Sequence, residues 1–119
     1  MIVFFYILIV ATTFSLMEVS TWLNHKYVMH GFLWFLHEDH HQPKYKNLFE
    51  KNDLFFIIFA LPSSLSIYFG LEQQQYFLAA VGFGIMFYGA AYFLVHDVLI
   101  HQRFKWFKHT KNRYLLGLR

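Results

Sequence analysis

Three apolar runs leave this chain few folds to choose from. The first, Ile2 to Met17, reads IVFFYILIVATTFSLM and continues through Val19 to Trp22; the second is Leu54 to Gly70 and the third Tyr76 to Val95. About twenty helical residues at ~1.5 Å each cross a hydrocarbon core ~30 Å thick. Inside lipid, only helices and closed barrels satisfy every backbone N–H and C=O. All ten Lys and Arg lie in two windows, 26–51 and 103–119, a bias that marks the cytoplasmic side of a membrane. The spacing predicts an all-α integral membrane protein with about three spans. Its N-terminus would lie outside, and both basic windows would lie on the cytoplasmic face.

Composition closes off the alternatives. A chain of 119 residues is one domain, and with 57% hydrophobic, 23% aromatic and only 14% charged residues a soluble domain could not cover its apolar surface. The absence of cysteine excludes thiolate zinc sites, iron–sulfur clusters, cysteine nucleophiles and disulfides. The net charge of +3 is compatible with nucleic acid, but the basic residues flank lipid-grade segments, which favours topology as their cause and no nucleic-acid partner. No Lys or Arg precedes the first run, so it lacks the charged start of a signal peptide and is expected to be retained.

Between the runs the detail is local. Pro62-Ser63-Ser64 is expected to kink the second span, with the serines satisfying carbonyls freed by the proline. Glu72 to Gln75 reads as a short outer turn. Gly82, Gly84 and Gly89-Ala90-Ala91 offer a small-residue face for another helix. Gly31 to Leu36 is too short to span and reads as interfacial, with Trp34 at headgroup level; residues 42–53 form a polar loop. The tail from Gln102 carries six basic and no acidic residues and is expected to be amphipathic and cytoplasmic. Glu18, near the end of the first span, either snorkels to water or supports a site nearby.

That topology puts all eight histidines at one membrane face. Five fall between His25 and His41: His25-x4-His30, then His37-x2-His40-His41; a third cluster, His96-x4-His101, repeats the first spacing. Neutral imidazole is the commonest transition-metal ligand, and scattered structural histidines would have no reason to share a side. On a helix His37 reaches His40 or His41 on one face, at i,i+3 and i,i+4. The i,i+5 pairs lie ~140° apart on an ideal α-helix. Either the helix is distorted there or the two histidines of a pair serve different ions, and both readings favour two metals. A nitrogen set without thiolate accepts iron, zinc or copper. Glu38-x-x-His41 is the one Glu-x-x-His match, so the soluble carboxylate di-iron scheme, which needs two, fails. Asp39 and Asp97 adjoin these histidines and are either supports for the ligands or solvent-facing acids. His109 stands apart among basic residues and reads as exposed.

The HX4H, HX2HH, HX4H order in a membrane chain resembles the histidine-rich membrane di-iron oxygenases of the fatty acid hydroxylase/sterol desaturase superfamily. The segments HKYVMHG (25–31), HEDHH (37–41) and YFLVHDVLIHQRF (92–104) are most similar to the bacterial β-carotene hydroxylases. The resemblance implies a non-haem di-iron monooxygenase, with metal ligands His25, His30, His37, His40, His41, His96 and His101 and Asp39 and Asp97 behind them. It implies two Fe ions, O2 as co-substrate and reduced ferredoxin as electron donor. The implied substrate is a membrane-dissolved carotenoid, hydroxylated at C3 of its β-ionone rings, taking β-carotene to β-cryptoxanthin and zeaxanthin. The family has a fourth, HX2HH-type cluster beyond the third, which is absent here, so residues 1–119 are expected to be one hydroxylase-like domain truncated before it. A fatty acid or sterol hydroxylase and a non-catalytic membrane metal-binding protein are the competing readings.

Overall fold

The computed structural model describes residues 1–41, 49–101, 104 and 109–117, without the side chains of residues 39–41 and 115. Every secondary-structure element among these residues is a helix. Helix α1 (Ile2–Leu23) runs without interruption into a π-helical segment, π1 (Asn24–Phe32), and α2 (Trp34–His41) follows a break at Gly31. Helix α3 (Asp53–Glu72) leads through a tight turn, with Gln74 at φ 57°, into α4 (Tyr76–Tyr92). Helix α4 continues as a second π segment, π2 (Phe93–Ile100), and a short α5 (Arg113–Gly117) follows.

Three continuous helices are long and apolar enough to cross a membrane: Ile2–Phe32, Asp53–Glu72 and Tyr76–Ile100. The expected spans are thus present, each helix reaching past the apolar run that seeds it. Helix α4 lies between α1 and α3 and packs on both. Glycines set those approaches. A Cβ on Gly84 would stand 2.5 Å from Thr13 Cβ and 2.9 Å from the Val10 carbonyl on α1. A Cβ on Gly82 would stand 2.8 Å from both Ile67 Cγ1 and the Ser63 carbonyl on α3. Helices in lipid associate by such close backbone packing, since lipid tails solvate Leu and Phe as well as a protein core does. Accordingly Ala79, Ala80, Gly82 and Gly84 are buried, whereas Phe4, Ile7, Phe56, Ile58 and Phe87 face outward.

Two local expectations are revised. Gly89 has open space around its Cα, so the close-approach face ends before it. The buried Ser63 hydroxyl donates to the Gly82 carbonyl at 2.8 Å. It ties α3 to α4 instead of capping a carbonyl freed by Pro62.

Candidate metal centre

Of the histidine pairs at i,i+5, His25 and His30 lie on π1, and His96 lies on π2 with His101 at its C-cap. In a π-helix the backbone bond closes i to i+5, so residues five apart come into register. The Leu33 N–H donates to the Val28 carbonyl at 3.1 Å and the His101 N–H to the His96 carbonyl at 2.9 Å. As a result the rings of His25 and His30 lie 4.6 Å apart, and those of His96 and His101 4.5 Å apart. Of the two readings left open by the sequence, local distortion of the helix is the one the fold adopts.

The break at Gly31 then turns the chain so that α2 brings His37 back against π1. Nε2 of His25 lies 3.1 Å from Nε2 of His37 and 3.2 Å from Nε2 of His30. One donor nitrogen from each of the three falls within 4.8 Å of the others, a group that could hold a metal ion. With imidazole–metal bonds of ~2.1 Å, two nitrogens on one ion sit ~3.0 Å apart at a right angle and ~3.4 Å apart at a tetrahedral angle. The observed separations fit that range.

His96 joins from the neighbouring helix, its ring 6.0 Å from that of His25. The ends of α1 and α4 and the start of α2 therefore meet at one end of the bundle. The site's walls are aromatic. Tyr92 stacks on His96 at 4.5 Å and 17°, Trp34 lies 5.3 Å from His30, and Phe55 meets the edge of His37 at 6.4 Å. His37 has no solvent exposure at all. Lys26, next to His25 in sequence, turns away, its ammonium 4.9 Å from the Trp22 ring centre and 5.2 Å from that of Tyr27. Its charge is thus kept out of the imidazole cluster.

Two polar residues touch the imidazoles from behind. Asp97, buried on π2, places Oδ1 2.8 Å from Nδ1 of His96. Asn52, buried at the start of α3, places Oδ1 2.6 Å from Nδ1 of His37. Asp97 was legible from its place beside His96. Asn52 was not: it falls in the stretch 42–53, which the sequence marks only as a polar loop. The side chains of Asp39, His40 and His41 lie outside the described residues. His109 is exposed, as its isolation suggested.

Beside the histidines, an apolar cleft of about 350 Å³ opens between α1 and α4, with Phe14, Trp22, Tyr88, Tyr92, Val95 and Ile100 on its walls. His25 and His96 stand in the same lining. Glu18 is there too, accepting a 2.8 Å hydrogen bond from the Tyr88 hydroxyl. It belongs to the cleft wall and is two turns of α1 short of His25.

The chain is 48% identical over 96 residues to a β-carotene hydroxylase of Pantoea ananas, covering 81% of this chain and 54% of that protein. It is a relative of the bacterial β-carotene hydroxylases. Identity to the β-carotene hydroxylase of Pseudescherichia vulneris is 44% over 101 residues, 83% of this chain and 56% of that protein. A chloroplastic β-carotene 3-hydroxylase of an Oncidium hybrid cultivar is 41% identical over 83 residues, 67% of this chain and 27% of its own length. The chain spans about half the length of the bacterial relatives it matches. No protein-family model matches it, and no solved structure does.

Proposed function

We propose that this chain carries part of the catalytic site of a β-carotene 3-hydroxylase, a membrane monooxygenase of carotenoid biosynthesis. The observation that carries this reading is the convergence of His25, His30 and His37, with His96 adjacent, at the mouth of an apolar cleft between two spans. The names of bacterial and plant relatives supply the substrate class.

In this reading His25, His30, His37, His40, His41, His96 and His101 hold two irons, and Asp97 orients His96 through Nδ1. Bound irons supply the activation of O2, so that RH, O2, two electrons and two protons give ROH and water, the electrons coming from reduced ferredoxin. The protein's own contribution is position and dryness. A carotenoid dissolved in the bilayer presents a methylated ring at the end of a rigid polyene. The cleft takes that ring from the side, between α1 and α4, while the polyene stays in lipid. Phe14, Trp22 and Tyr92 supply flat apolar walls that keep competing water from the ring. The basic windows 26–51 and 103–119 support a cytoplasmic histidine end by the positive-inside bias. There they also present positive charge to an acidic ferredoxin.

The direct test is pigment extraction from β-carotene-accumulating bacteria that express the full-length protein with iron and ferredoxin supplied. β-Cryptoxanthin and zeaxanthin are expected in the chromatogram. Unchanged β-carotene alongside newly hydroxylated fatty acids or sterols would reassign the substrate. Metal uptake with no oxygen consumption would replace the enzyme by a metal-binding protein.

A further inference from the structure

We propose that Asn52 is a positioning residue for the metal centre: its side-chain carbonyl holds His37 in the tautomer that turns a bare Nε2 toward His25 and His30. Asparagine at the N-cap of a helix ordinarily folds its side chain back onto the helix's own first N–H groups. Asn52 occupies the N-cap of α3 and makes no such bond. Its Oδ1 is instead 2.6 Å from Nδ1 of His37, with both side chains buried.

The chemistry of the pair fixes the proton. An amide oxygen only accepts, so Nδ1 must carry the hydrogen that fills a 2.6 Å contact. A neutral imidazole has one N–H, which leaves Nε2 with its lone pair. Nε2 is the atom that meets His25 at 3.1 Å. The Nε2–H tautomer of His37 would send an N–H into the cluster and leave the buried Asn52 oxygen without a donor, and the imidazolium would likewise lose the bare Nε2.

The first turn of α3 is built to hold this contact. Phe55, three residues on and therefore on the same helix face, meets the edge of the His37 ring. Asp53 accepts the Glu50 backbone N–H at 3.0 Å and braces the turn that leads into the helix. Through Asn52 the second span thus reaches a site whose described ligands all come from the other helices.

This inference rests on reading His25, His30 and His37 as a metal site and is independent of the substrate. Two measurements on the full-length protein in detergent test it. The first is the tautomer of His37 in 15N-histidine-labelled wild type, from long-range 1H–15N correlations assigned with His37→Gln. The Nδ1–H form is expected, and finding Nε2–H overturns the assignment. The second is Co2+ titration followed by visible absorption. Asn52→Leu, which keeps the volume but removes the acceptor, is expected to weaken Co2+ binding by about 10–100-fold, the usual effect of losing a ligand's outer partner. Asn52→Asp, which restores an acceptor, is expected to bind nearly as the wild type does, with an unchanged Co2+ spectrum. Wild-type affinity in Asn52→Leu overturns the proposal, as does an equal loss in both variants, which would mark Asn52 as merely structural. Wild-type protein that takes up no Co2+ overturns the metal reading itself, and that failure is distinct from a wrong tautomer or an unaffected Asn52→Leu.

Discussion

His37 is the residue on which the most depends. It is fully buried, touches His25 through Nε2 and Asn52 through Nδ1, and is walled by Trp34 and Phe55. His37→Ala removes a candidate ligand and strands the Asn52 side chain in a dry pocket, at a cost of about 1–3 kcal/mol. The variant is expected to lose both bound metal and thermal stability, measured by metal analysis and melting in detergent. His109→Ala, at an exposed position, is expected to change neither. Equal behaviour of the two variants would break the link between burial and site. At the same scale, Ser63→Ala removes the α3–α4 hydrogen bond to Gly82. In lipid such a bond contributes about 0.6 kcal/mol on average, so a small drop in melting temperature with unchanged metal content is expected.

The elements matter through their register. Inserting an alanine after Tyr27 in π1 turns everything after it by ~100° about the helix axis. Helical content by circular dichroism is expected to persist while metal binding is lost, because α2 no longer carries His37 back to His25. Helix packing gives a second test. Gly84→Val drives a side chain into Thr13 and Val10 on α1, an overpacking worth about 1–3 kcal/mol. Since α1 and α4 carry His25 and His96 into contact, wedging them apart is expected to reduce metal affinity as well as stability. Gly89→Ala, with open space at its Cβ, serves as the silent control.

For the whole molecule, the natural absence of cysteine makes orientation directly measurable. Gln73→Cys, in the turn between α3 and α4, is expected to react with a membrane-impermeant maleimide added to intact cells. Lys51→Cys, at the histidine end, is expected to react only after the membrane is opened. The reverse pattern would invert the topology and move the site to the outer face. Much of this architecture was legible beforehand. Three runs of lipid-grade residues dictate three helices, because a backbone in hydrocarbon has no other way to pair its own polar groups. Clustered histidines without cysteine exclude thiolate ligation and make imidazole the leading donor, because no thiol is present to compete.

What the sequence could not decide is how those pieces meet. The His-x4-His spacing left open a distorted helix or two histidines serving different ions, and the π hydrogen bonds bring each pair onto one face. Spacing along the chain does not contain that choice, since it depends on a backbone bond supported by neighbouring elements. The placing of α4 between α1 and α3 rests on which glycine meets which neighbour, Gly84 against Thr13 and Gly82 against Ile67. Asn52 falls within the stretch expected to be a polar loop, and only the return of α2 over the start of α3 gives its carbonyl an imidazole to hold. By itself the sequence determined the solvent each segment requires and the ligands available. The tertiary structure decided which nitrogens converge, because convergence is a relation between helices and belongs to no single one of them.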